Sequence, residues 1–217
     1  LDVTRCSQLE ELPNMEILVC LEELWAGNCL KLNRIRGLEQ ATKIQKLCVT
    51  GCSQLEELTG MKNLVSLEEL WTNGCVKLKN LQGLEQCTRL RKLLLSGCSE
   101  LEELPSMEAL VCLEELWADC CVKLKRIRGL EQATMLQKLC VTECSELEKL
   151  PGMETMICLQ ELWAEGCVQL KSIRGLAHCT RLRILRISGC SELEELPSME
   201  ALVCLEELWA NGCVKLK

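Results

Sequence analysis

The chain has 217 residues, a hydrophobic fraction of 48%, a charged fraction of 26% and a formal net charge of −7. That balance belongs to a soluble, folded chain and not to a disordered one. The negative charge argues against non-specific nucleic-acid binding, which needs clustered Lys and Arg. No apolar run reaches the roughly eighteen residues of a membrane span, and no secretory leader is visible. With five Trp, no Phe and no Tyr, the core must be built from Leu, Ile, Val, Met and Cys.

From the N-terminus onward one frame recurs. Cys6, Cys29, Cys52, Cys75, Cys98, Cys121, Cys144, Cys167, Cys190 and Cys213 stand 23 residues apart without a slip. Around each lies L-x-x-L-x-(apolar or small)-x-x-C-x-x-L, as in Leu90, Leu93, Leu95, Cys98 and Leu101. Apolar residues then continue through Leu104, Met107 and Leu110 until Leu113 opens the next unit. Ten of the 19 cysteines fall in this column and the total is odd, so one structural position repeated ten times explains them better than a disulfide framework. Free thiols at this density suit a reducing compartment, and an intracellular location, cytoplasmic or nuclear, is expected.

The frame is the leucine-rich-repeat signature, and the chain resembles leucine-rich-repeat proteins over its whole length. The resemblance implies an α/β, right-handed solenoid, a horseshoe with a parallel β-sheet on the concave face and short 3₁₀ or helical turns on the convex face. Each unit carries an apolar stripe that only stacking on its neighbours can bury. The expected organisation is a single array over 1–217, about ten rungs of 23 residues, in which two unit types alternate. Both ends fall in mid-pattern and lack polar caps. The chain therefore reads as a piece of a longer protein, with marginal solubility unless the ends pair. The ladder cysteines take the place that Asn fills in many relatives. Each is expected to pack as a small hydrophobe and offer a weak S–H donor to a backbone carbonyl.

Within a strand L1-x2-x3-L4-x5-L6, positions 4 and 6 point inward and positions 3 and 5 face the concave surface. Trp25, Trp71, Trp117, Trp163 and Trp209 occupy position 5 on every second rung, 46 residues apart. Cys48, Leu94, Cys140 and Arg186 fill the same column on the rungs between. The next inward residue is small beside every Trp: Ala26, Thr72, Ala118, Ala164 and Ala210. Three readings stand open. The tryptophans, with Leu94 and Arg186, form a partner-binding surface, since contiguous exposed apolar patches and Trp mark contacts. Alternatively each Trp lies flat and covers the sheet, or a bulge turns it inward beside the small residue. Position 3 alternates in charge, from Glu23, Lys46, Glu69 and Lys92 through Glu115, Lys138 and Glu161, until Ile184 breaks it before Glu207. Such a ladder neutralises itself across strands and aligns the two unit types.

On the convex side Pro13, Pro105, Pro151 and Pro197 break the chain into turns. Ser106 and Ser198 look like caps of short helical turns. Gly37, Gly83, Gly129 and Gly175 stand one position later in the other unit type and are assigned to backbone geometry. No catalytic constellation appears. His178 beside Cys179 is the only histidine, and it reads as a surface residue. Cys48/Cys52 and Cys140/Cys144 are four apart without a histidine partner, which does not suit zinc. No phosphate-loop, dinucleotide or metalloprotease motif occurs. No catalytic, metal or cofactor residue is assigned, and the chain is not expected to be an enzyme by itself.

The run G-C-S-E-L-E-E-L-P-S-M at Gly97–Met107 resembles the G-C-x-x-L-x-x-L-P units of plant intracellular nucleotide-binding/leucine-rich-repeat immune receptors. That resemblance implies effector recognition and autoinhibition, with a protein partner: an effector or another domain of the same parent chain. Ser96–Ala118 recurs unchanged at Ser188–Ala210, as a recognition array under expansion would show. An adaptor arm of an F-box ubiquitin ligase, or an array attached to a kinase or GTPase, remains an alternative.

Overall fold

The computed structural model describes residues 1–196 and 198–217. Pro197, one of the four convex prolines, lies outside the described residues. Among the described residues nine three-residue strands form one sheet: β1 (Glu23–Trp25), β2 (Lys46–Cys48), β3 (Glu69–Trp71), β4 (Lys92–Leu94), β5 (Glu115–Trp117), β6 (Lys138–Cys140), β7 (Glu161–Trp163), β8 (Ile184–Arg186) and β9 (Glu207–Trp209). They lie in chain order and each is parallel to the next. The register follows the 23-residue period, so Leu24 faces Leu47 and Leu47 faces Leu70 along the array. Asp2 adds one further bridge, to Trp25.

The strands are short because the frame allows nothing longer. The inward residues of positions 4 and 6 are followed two residues later by a left-handed turn. That turn is glycine in most units, as at Gly74 and Gly97. It sends the chain off the sheet toward the ladder cysteine. The interior is one continuous apolar core. Leu47, Leu70, Leu93, Leu116, Leu139, Leu162 and Leu185 line its concave side with essentially no exposure. Leu208 in β9 has no rung over it and is 48% exposed, which is what stacking as the sole source of burial predicts.

The cysteine column performs the hydrogen bonding expected of it. From the second rung onward every ladder thiol donates to a carbonyl of the rung before, 26 residues back. The distances run from 3.0 Å, for Cys52 to Ala26, to 3.2 Å, for Cys121 to Leu95. All 19 cysteines are unpaired.

On the convex face 3₁₀ turns of three residues follow a left-handed glycine at Gly37, Gly60, Gly83, Gly129 and Gly175. Positive φ lets the glycine carbonyl accept the amide three residues on, as Gln86 donates to Gly83 at 3.1 Å. Met15–Ile17 is a sixth such turn, capped instead by the Asn14 side chain. The expectation for Ser106 needs correction. Its hydroxyl accepts from Glu108 N at 3.4 Å, but the segment is a single turn closed by Leu110 N on the Met107 carbonyl and not a helix. Behind Pro105 there is no left-handed residue to start the second bond. Ser198 likewise heads no helical turn. Among the described residues no helix is long and apolar enough to cross a membrane.

Candidate functional site: the concave tryptophan face

The five tryptophans stand on the concave side of the sheet, and the residue after each points into the core. Ala26, Thr72, Ala118 and Ala164 are fully buried, whereas the indoles of Trp25, Trp71, Trp117 and Trp163 are half-buried and that of Trp209 is exposed. No bulge turns an indole inward. The small inward residues therefore reflect packing beneath the sheet and not space left for an aromatic ring.

The column is not uniform, and what stands between two tryptophans decides its form. Rungs two apart are separated by about 10 Å. Yet the ring centroids of Trp25 and Trp71 are 5.6 Å apart and those of Trp117 and Trp163 are 5.8 Å apart, both edge to face. The rings lean toward each other over Cys48 and Cys140, the smallest occupants of the intervening rungs. These two thiols keep only 7% and 4% of their surface although they stand on the concave side. Where the intervening residue is large, the rings stay apart and the residue fills the slot. Leu94 does this between Trp71 and Trp117. Arg186 does it between Trp163 and Trp209, its guanidinium carbon 4.8 Å and 5.1 Å from the two ring centroids.

Position 3 supplies the polar border. Glu23, Glu69 and Glu115 each accept the indole N–H two residues on, at 3.0–3.1 Å. Lys46 lies between Glu23 and Glu69 at 3.7 and 3.9 Å, Lys92 reaches Glu115 at 3.4 Å, and Lys138 reaches Glu161 at 3.1 Å. The expected ladder thus forms as partly exposed ion pairs of modest strength. At β8 the pattern changes: Ile184 replaces the lysine, and Arg186 pairs with Glu207 at 3.1 Å from the neighbouring column. There Trp163 Nε1 and Arg186 Nε are buried without a hydrogen-bond partner.

Elsewhere the chemistry is bland. His178 is exposed and its Nδ1 rests 3.3 Å from the Gly175 carbonyl of its own turn. The Cys179 thiol is buried 3.8 Å from the Met153 carbonyl, and burial pushes it up to about 11, so it is a poor nucleophile. Among the described residues no group of three potential metal ligands forms. One surface cleft is lined mainly by charged side chains, Glu68, Arg89, Arg91 and Glu114.

The sequence matches the BspA type leucine rich repeat region in six copies, over residues 23–148 and 74–194. The chain is a leucine-rich-repeat protein of the BspA type. No curated protein matches it. Among solved structures, the leucine-rich repeat domain of the type III effector XopL is similar, with 18% identity and a TM-score of 0.69. That match covers 94% of this chain and 73% of the other. A leucine-rich-repeat protein of Leptospira interrogans aligns over 90% of this chain and 70% of its own at 17% identity, with a TM-score of 0.38. At these identities the XopL domain shares the fold with this leucine-rich-repeat protein, which as a class is a scaffold for protein–protein contact.

Proposed function

We propose that this array recognises a protein segment on its concave face, with Trp25, Trp71, Trp117, Trp163, Trp209, Leu94 and Arg186 as the contact column. The observation that carries this reading is the line of half-exposed indoles bordered by carboxylates and ammonium groups. Trp contributes large, rigid contact area at interfaces, and a polar rim around an apolar stripe is the usual anatomy of a binding surface. In its parent chain the array serves as the ligand-sensing, autoinhibitory domain of a plant-type intracellular immune receptor. That finer reading rests on the G-C-S-E-L-E-E-L-P-S-M run and on the unchanged recurrence of Ser96–Ala118 at Ser188–Ala210.

The contact surface is tested by selecting displayed random peptides on the wild-type array. Their affinities are then measured on Trp71→Ala with Trp117→Ala, a pair chosen from the middle of the array. Selected peptides should lose tenfold or more in affinity, about 1.4 kcal/mol, while circular dichroism stays native. Undiminished binding by the double variant would sink the concave-face reading. Sequencing the parent transcript upstream tests the receptor reading. A nucleotide-binding module there supports it, and an F-box would replace it with an adaptor.

A further inference from the structure

Four slots lie between successive tryptophans, and two of them are filled by this chain's own large side chains. Leu94 fills one without charge. Arg186 fills another, and its surroundings define what a guanidinium needs here. One indole stands on each side, at 4.8 and 5.1 Å from the guanidinium carbon, and the carboxylate of the next rung, Glu207, lies 3.1 Å from Nη2. The planar, weakly hydrated guanidinium is the cation best suited to stacking between aromatic faces while keeping a carboxylate in its plane.

The other two slots repeat the flanking indoles and the carboxylate of that arrangement, with a thiol in place of the arginine and Lys46 and Lys138 in place of Ile184 on position 3. Trp25 and Trp71 flank Cys48, and Trp117 and Trp163 flank Cys140. The carboxylate 21 residues after the central position, Glu207 for Arg186, is Glu69 for Cys48 and Glu161 for Cys140. In both slots two carboxylates stand beside one lysine on position 3: Glu23, Lys46 and Glu69, then Glu115, Lys138 and Glu161. In the first slot Lys46 is shared by two carboxylates, which leaves one negative charge in excess; in the second Glu115 pairs with Lys92 at 3.4 Å and Glu161 with Lys138 at 3.1 Å, in a chain whose net charge is −7. The indoles now close these slots edge to face over a thiol. An edge-to-face pair is a weak, reversible contact. Swinging one ring aside restores the spacing that Arg186 already holds open farther along the array.

We propose that the concave face binds an extended protein segment through its arginines, with guanidinium groups seated between Trp25 and Trp71 above Cys48 and between Trp117 and Trp163 above Cys140. This rests on the concave-face reading and specifies the partner. The two slots are four rungs apart, about 19 Å, and an extended chain rises about 3.3 Å per residue. Two arginines about six residues apart in the partner therefore reach both slots at once.

The probe is a synthetic Gly/Ser/Ala peptide carrying two arginines about six residues apart, titrated against the intact chain by tryptophan fluorescence. Versions with lysine and with citrulline, which keeps the shape and removes the charge, serve as comparison. The arginine peptide should bind at least about tenfold more tightly than the citrulline peptide, with lysine between them. Cys48→Leu with Cys140→Leu fills both slots as Leu94 fills its own, and should abolish the preference. Cys48→Arg with Cys140→Arg should do the same from within. Conversely, Arg186→Cys should open a further slot and strengthen binding of a peptide with a third arginine about three residues on. Equal binding of the arginine and citrulline peptides overturns the proposal, as does a preference that survives in the leucine-filled chain. Should library peptides bind through Trp71 and Trp117 but show no arginine preference, this proposal falls and the concave-face reading stands. Should no Trp-dependent peptide appear and the arginine probe also fail, both fall.

Discussion

Cys121 Sγ donates to the Leu95 carbonyl of the preceding rung at 3.2 Å, and both residues are fully buried. The same bond recurs along the column, so the core contains a file of buried neutral thiols. Burial opposes the thiolate. It pushes Cys98 up to about 11 and Cys52, Cys167 and Cys190 up to about 12, from an ordinary 9.0. Since the folded values are raised, the stabilisation is complete below pH 9, where both states hold their protons. It declines as the unfolded chain ionises, and is lost by about pH 12. Each such thiol costs about 1.4 kcal/mol per pH unit above its unfolded value. The array should therefore unfold cooperatively between pH 9 and pH 11, with the absorbance of the ladder thiolates and the loss of circular dichroism appearing together. The chain has no tyrosine to confuse the absorbance. Ladder thiolates forming well before structure is lost would contradict the account.

Backbone geometry gives a second test. Gly83 has φ +97, and a Cβ there would lie 2.5 Å from the Lys62 amide nitrogen, so Gly83→Ala should cost about 1–2 kcal/mol. Cys120 and Glu143 hold φ 58 and 60 at a position where other units place Gly74, Gly97 and Gly166. Here the strain is already present. Cys120→Gly and Glu143→Gly should each raise stability by about 0.5–1 kcal/mol, as read from urea denaturation midpoints. A loss at either site would mean that its side chain makes contacts outweighing the strained backbone.

The 23-residue frame specifies strand register, the inward leucines and the thiol ladder, because each is dictated by one repeated burial requirement. Leu47 opposite Leu70 and Cys52 under Ala26 follow directly from it. The frame also places the tryptophans in one column. It does not say that Trp25 leans onto Trp71 while Trp71 stays clear of Trp117, because that depends on the volume of Cys48 against that of Leu94. The alternation of Cys, Leu, Cys and Arg between the indoles carried that signal, and it is a packing rule and not a periodicity. The convex turns were half legible. Glycine marks the 3₁₀ turns, but Ser106 resembles a helix cap in sequence and caps only a turn.

The charge ladder predicts a salt-dependent effect. Lys46 sits between Glu23 and Glu69 at 3.7 and 3.9 Å, all three partly exposed. Removing its charge with Lys46→Met should change stability by no more than about 0.5 kcal/mol, since exposed pairs contribute little. Lys46→Glu aligns three carboxylates across adjacent strands and should cost about 1 kcal/mol at low salt. Most of that loss should be recovered at 1 M salt, where the screening length is about 3 Å. A cost unaffected by salt would locate the effect in the packing of the lysine stem and not in its charge.

The rule that the intervening residue sets the indole geometry can be tested away from the proposed slots. Leu94 holds Trp71 and Trp117 apart. Leu94→Cys should let them close to the 4.5–7 Å typical of edge-to-face pairs, matching the 5.6 and 5.8 Å of the pairs over Cys48 and Cys140. The removed side chain is half-buried on the concave side and not in the core, so the cost in stability should be below about 1.5 kcal/mol. A crystal structure of the variant reads the distance directly, and exciton coupling in the tryptophan circular dichroism should grow with the added pair. If Trp71 and Trp117 remain apart, the lean of the existing pairs must come from their carboxylate partners. Trp71 accepts that alternative through its bond to Glu69, but Trp163, which leans equally without a partner for Nε1, does not.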